Sequence, residues 1–132
     1  MGGGKKNPAY DKACAFAIRI VNAYRHLTEE HREYVMSKQL LKSGTLIGAN
    51  LAEANGAISW AELSAKVSIP YKESQETKYW LWLLKETNYI NDKAFDSLFN
   101  DLNELAAILY IILRKTRFRK NAANNSLPPS TT

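Results

Sequence analysis

Apolar residues recur at steps of three and four along most of the chain, and no stretch alternates with the period of two expected of a half-buried strand. Four segments carry the helical pattern. The first opens at Asn7-Pro8, a capping side chain followed by a proline suited to the first helical position. Tyr10, Ala13, Ala17, Val21 and Tyr24 then form an apolar stripe. Asp11, Arg19, Asn22 and His26 mark the polar face of a helix ending near Leu27. Thr28-Glu29-Glu30 predicts the start of the second helix, whose apolar members are Met36, Leu40, Ile47, Leu51 and Ala54. Gly44, Gly48 and Ala52 fall at four-residue steps within it. Each glycine costs about 1 kcal/mol of helix stability relative to alanine. The strip therefore either admits a close neighbouring backbone or breaks the helix near Ser43-Gly44. Asn55-Gly56 is a stop signal.

Ser59 and Glu62 have capping-box spacing and open the third segment, which runs to about Thr87. Leu63, Val67, Ser74, Thr77, Leu81 and Leu84 share a face. Pro70 lies inside, predicting a kink or a division into two helices. Asn91-Asp92 caps the fourth segment, where Phe95, Leu98, Leu102, Leu105, Leu109 and Ile112 give the cleanest periodicity in the chain. Helices of about 20 to 28 residues span about 30 to 40 Å. Short connections make neighbours antiparallel, so the expected fold is all-α, an up-down-up-down four-helix bundle. Residues 1–7 are expected to be a flexible N-terminus, 8–118 the bundle, and 119–132 a disordered tail that is first basic and then polar.

The third and fourth segments carry more apolar surface than one core needs. Leu105 to Leu113 is apolar all round, with Ile108, Tyr110 and Ile111 away from the heptad face. Tyr79, Trp80 and Trp82 crowd the third helix in the same way. A helix apolar on every side must be covered on every side, and another copy of the chain is the natural cover. These six residues are the expected oligomer interface, although scattered surface aromatics are common on monomers as well.

Charge adds a second candidate surface. The 132 residues carry 18 Lys and Arg against 13 Asp and Glu, a net +5. Arg114, Lys115, Arg117, Arg119 and Lys120 account for all of that excess, with no acidic residue among them. They complement the dipole of a helix C-terminus. They equally form a phosphate-binding patch, with Phe118 available to stack on a base. The nucleic-acid candidates are therefore Arg114, Lys115, Arg117, Phe118, Arg119 and Lys120.

Other chemistry finds little support. One cysteine excludes an intrachain disulfide, and with two histidines it leaves few ligands for a structural zinc. Cys14, among Ala13, Ala15 and Phe16, reads as packing. The longest apolar run, nine residues, is too short for a membrane span, which needs about twenty. No secretory signal opens the chain, and a cytoplasmic protein is expected. Neither histidine follows a glutamate by three, so the di-iron bundle motif is absent, as is a P-loop. Glu53, Glu73 and Glu76 could serve acid–base chemistry but equally form helix-surface pairs with Lys72 and Lys78. Asn50 reads as a buried amide that fixes register. No catalytic residue, metal or cofactor is expected.

Two stretches resemble a known family. Ser43-Gly44-Thr45-Leu46-Ile47-Gly48-Ala49-Asn50-Leu51-Ala52-Glu53-Ala54 is similar to the S-x-x-I-x-A-N-I-A-E-G stretch of the bacterial four helix bundle proteins. Lys72-Glu73-Ser74-Gln75-Glu76-Thr77-Lys78-Tyr79-Trp80-Leu81-Trp82-Leu83-Leu84 is similar to their K-E-x-x-E-T-x-Y-W-L-x-L-L. The resemblance runs from about residue 9 to 118; Gly48 stands where Ala or Pro is usual, and Pro70 where a helix former is. The family includes proteins encoded by intervening sequences in 23S rRNA genes and the accessory proteins of diversity-generating retroelements. The resemblance implies a four-helix bundle assembling into a pentamer, without enzymatic activity. It also implies that some members bind RNA or DNA, and that retroelement members bind a reverse transcriptase. Asn50, Glu53, Glu73 and Glu76 carry over as motif residues of structure or assembly.

Overall fold

The computed structural model describes residues 7–122. It is an all-α bundle of four helices, α1 (Pro8–Glu29), α2 (Met36–Ala54), α3 (Trp60–Glu86) and α4 (Asp92–Lys120). Nearly all of the expected flexible N-terminus, and the expected tail from residue 123 onward, lie outside the described residues. Arg119 and Lys120 belong to α4, so the bundle boundary set at 118 moves out by a turn fragment.

Neighbouring helices run antiparallel. Gly44 and Gly48 of α2 face Ile20 and Ala13 of α1, in descending order. Tyr71 meets Tyr110, while Lys85 lies over Phe95, so α3 and α4 also run in opposite senses. α1 and α4 close the ring through Lys12–Glu104 at 3.1 Å and Arg19–Asp101 at 2.6 Å. That seam is partly open, with a cleft of about 300 Å³ floored by Ala23, Ile90 and Leu98. The core is aliphatic: Ile20, Leu27, Leu40, Ile47, Leu81, Leu84, Leu102, Leu105 and Leu109 are fully enclosed, with Phe16 among them.

Capping explains most helix ends. Asn7 accepts from the Tyr10 amide at 3.1 Å, Ser59 from Glu62 at 3.1 Å, and Asn91 from Ala94 at 2.8 Å. The Glu62 carboxylate reaches back to the Ile58 amide at 2.8 Å, one residue beyond the capping-box position. α3 ends in a Schellman arrangement. There Asn88 takes a left-handed φ of 68°, and the Tyr89 amide donates to the Leu84 carbonyl at 2.9 Å.

Two expectations are corrected. Thr28-Glu29-Glu30 ends α1 and does not start α2. The Thr28 hydroxyl turns back to the Tyr24 carbonyl at 3.0 Å, and the chain reverses through Arg32 at φ 51°. Glu33 is the real start signal of α2. Its carboxylate accepts from the amides of Val35 and Met36 at 3.0 Å and of Ser37 at 2.7 Å. The second correction is the buried face of α1, which is Ala9, Ala13, Phe16, Ile20 and Leu27, rotated from the expected stripe. α3 runs as one helix with Pro70 inside it, so the alternative of two helices does not occur, and Val67, Pro70 and Ser74 are all buried.

α2 runs unbroken through both glycines. A Cβ on Gly44 would sit 2.9 Å from both γ carbons of Ile20, so the absence of a side chain is what lets α1 lie this close. Beside it, the Ser43 and Thr77 hydroxyls hydrogen-bond at 2.9 Å, joining α2 to α3 inside the core. No helix among the described residues is long and apolar enough to cross a membrane.

Candidate nucleic-acid interface and assembly face

The last turns of α4 are anchored from one side. Leu109, Leu113 and Thr116 are buried, and the Thr116 hydroxyl is bonded to the Leu113 carbonyl at 3.0 Å. With 3.6 residues per turn, the opposite side must present Ile111, Arg114, Lys115 and Phe118 together. These residues and Arg119 line a shallow hollow of about 500 Å³. Phe118 is 76% exposed. Arg117 and Lys120 are exposed on other sides of the same helix end. Arg117, Arg119 and Lys120 fall in the last turn, where they also complement the helix dipole.

Among the described residues the ion pairs are on the α1–α4 seam, and none of the five cations of this segment takes part in one. Arg119 instead lies over the ring of Trp60, with its guanidinium carbon 5.6 Å from the ring centroid. Trp60 is the functional candidate that sequence reading missed. Its position next to the Ser59 cap marked only a helix start. The pairing follows from topology, because the start of α3 and the end of α4 occupy one end of an antiparallel bundle.

The expected oligomer residues divide. Tyr79, Trp82, Tyr110 and Ile111 are 51%, 49%, 46% and 52% exposed, on the outward surfaces of α3 and α4. Tyr79 contacts Trp80 edge-on at 5.0 Å and Trp82 at 6.2 Å. Trp80 and Ile108 are half-buried and pack against the core of their own chain. The Trp80 indole N–H is enclosed without an acceptor. Ile111 belongs to both surfaces, so the aromatic face and the basic hollow are continuous along α4.

The motif residues lie on α2 and α3 at differing burial. Glu53 and Glu76 are exposed, and Asn50 is half-buried, not enclosed as expected. Glu73 is half-buried; burial and then repulsion from Glu76 push its pKa up, opposed by the Lys42 charge. Cys14 is half-buried in α1. No group of three or more His, Cys, Asp or Glu side chains able to hold a metal occurs among the described residues.

Comparison with known proteins places these surfaces in a family context. The chain is similar to a protein of unknown function from the S23 ribosomal protein family of Bacteroides thetaiotaomicron VPI-5482, solved at 1.70 Å. The two are 47% identical, with a TM-score of 0.79 over 80% of this chain and 98% of the other. No curated protein matches. The sequence profile of the 23S rRNA-intervening sequence proteins matches residues 5–111. The matched span includes both motifs and stops short of Arg114. The chain therefore belongs to the 23S rRNA-intervening sequence protein family.

Proposed function

We propose that this protein is a non-enzymatic, self-associating bundle that binds nucleic acid electrostatically through the C-terminal end of α4. The observation that carries the reading is the run of five exposed cations, free of acidic neighbours and of ion pairs among the described residues. The run lies beyond the matched family span, which ends at residue 111. Self-association rests on Tyr79 and Trp82 of α3 and Tyr110 and Ile111 of α4, large apolar side chains that each stay about half exposed. A ring of five copies, as the resemblance implies, would bring several cationic ends together and strengthen their joint field. The non-enzymatic reading is supported by the scatter of the motif carboxylates over exposed and half-buried positions on two helices.

A titration with labelled oligonucleotide across a salt series tests the reading, with particle size followed by light scattering. Counterion release predicts a linear fall of log affinity with log salt. Replacing Arg114, Lys115 and Arg117 together by glutamine is expected to flatten that slope by about three phosphate contacts. Absence of binding at low salt would refute the proposal. The same cations also favour a second reading, an adaptor whose basic edge meets an acidic or RNA-bound partner such as a reverse transcriptase. Co-purification with such a polymerase, without affinity for free oligonucleotide, would favour that reading.

A further inference from the structure

We infer that Phe118 and the guanidinium of Arg119, held against Trp60, form a stacking platform for unpaired bases, so that this end of α4 selects single-stranded nucleic acid over duplex. The inference rests on the nucleic-acid reading above and narrows its ligand. Neutralising phosphates requires only cations, and a duplex offers little else along its backbone. The surface contains more than cations. Phe118 stands 76% exposed and lines the hollow together with Arg114, Lys115 and Arg119. An aromatic face adds nothing to contact with a sugar-phosphate rail, because the faces of paired bases are already covered. It adds substantially to contact with a base whose face is free.

Arg119 extends the platform across two helices. Trp60 comes from α3, and its ring centre lies 5.6 Å from the guanidinium carbon. A guanidinium held beside a ring is a flat cationic surface on which bases also pack. Phe118 and Arg119 are consecutive on α4, so a strand whose phosphates follow Arg114 and Lys115 meets two flat surfaces in succession. Charge complementarity commits the surface to a polyanion, and the flat surfaces commit it to an unpaired one.

The test is fluorescence-anisotropy titration of the full chain with short oligothymidylate, oligouridylate and a duplex of equal length, at low salt. Both single strands are expected to bind about tenfold more tightly than the duplex. Phe118→Ala is expected to lower the ratio of single-strand to duplex affinity about tenfold. Arg119→Lys preserves the charge but removes the planar guanidinium, and is expected to lower the same ratio while keeping the salt slope. Both positions are exposed, so these variants leave the core untouched. Trp60→Ala provides a further check through the support of Arg119. Equal affinity for strand and duplex, or equal losses on both in the variants, would overturn the platform and leave the electrostatic reading standing. A Phe118→Ala change that alters only particle size would overturn it in favour of a second copy covering the ring. No binding of any oligonucleotide would remove the underlying reading as well.

Discussion

The α1–α2 and α3–α4 seams are built from opposite materials. Along α1–α2 the contact residues are small: Gly44 under Ile20 and Gly48 beside Ala13, with Ser43 buried next to them. The helices approach until side chain meets backbone, and the contact is consumed within the chain. Along α3–α4 the contact residues are bulky and amphipathic. Tyr71 meets Tyr110 at 5.9 Å, Lys78 lies 6.0 Å from the centre of Phe99, and Lys85 lies 4.7 Å from that of Phe95. Rings this large cannot all be enclosed between two helices. Tyr110 stays about half in water, as does Trp82 of α3. A small-residue seam therefore specifies the fold and offers nothing outward, whereas an aromatic seam holds the fold and presents a surface to a partner.

The strongest way to break the first seam is Gly44→Val. Its Cβ would meet Ile20 at 2.9 Å, and Ile20 is fully buried and β-branched, so it cannot swing aside. Overpacking here is expected to destabilise the chain by about 3 kcal/mol, read as a lower urea midpoint at constant slope. An unchanged midpoint would mean that the close approach is not required.

The next effect concerns how α2 enters that seam. Glu33→Ala removes the acceptor of three backbone amides and is expected to cost about 2 kcal/mol at neutral pH. The loss depends on pH in a defined direction. Burial works to raise the Glu33 pKa, but bonds from Met36, Ser37 and Val35 together outweigh it and hold it below the ordinary carboxylate value. A depressed folded pKa gives stability that is complete above the unfolded pKa and is lost as pH falls through the folded one. The gap between wild type and Glu33→Ala should therefore narrow on acidification. A gap constant with pH would assign the cap to the neutral acid.

On the second seam the expected thermodynamic effect is smaller and the effect on assembly larger. Trp82→Ala removes a half-exposed ring, so the monomer should lose only about 1 kcal/mol. If the aromatic face is where copies meet, sedimentation of the variant should show smaller particles than wild type at equal concentration. A variant that unfolds readily yet keeps its particle size would reverse the division of labour between the seams.

The two seams were also unequally legible in the sequence. Leu98, Leu102, Leu105 and Leu109 are buried where their spacing placed them, because α4 has one clear apolar stripe at those positions. α1 does not: Ile18 is 65% exposed while Ile20 is enclosed, and with apolar residues on several sides periodicity admits more than one stripe. Only the approach of α2 through Gly44 selects among them. A continuous apolar run does not reveal which members face in, so periodicity alone does not separate Trp80 and Ile108, which pack on the core, from the exposed Trp82 and Ile111. Glu33 was passed over because it caps from outside the usual position, and Trp60 because its partner is fifty-nine residues away. The cationic run was legible outright, since charge needs no packing to be counted.

The smallest effect sharpens the comparison most, because it lies on the same seam as the largest and has the opposite sign. Gly48 is one turn from Gly44 and faces the same helix, yet an added Cβ would stand 3.6 Å from that of Ala13, an ordinary contact. Gly48→Ala therefore meets no obstruction, and it removes the backbone freedom that glycine retains when unfolded. A gain of about 0.5 to 1 kcal/mol is expected, seen as a higher midpoint in the same urea experiment. The bulk of Ile20 makes the close approach obligatory at Gly44, whereas Ala13 leaves it relaxed at Gly48. A loss at Gly48 would show that α1 and α2 are held at one uniform spacing, and the contrast between the seams would then lie in backbone geometry along the whole helix pair, with Ile20 no longer singular.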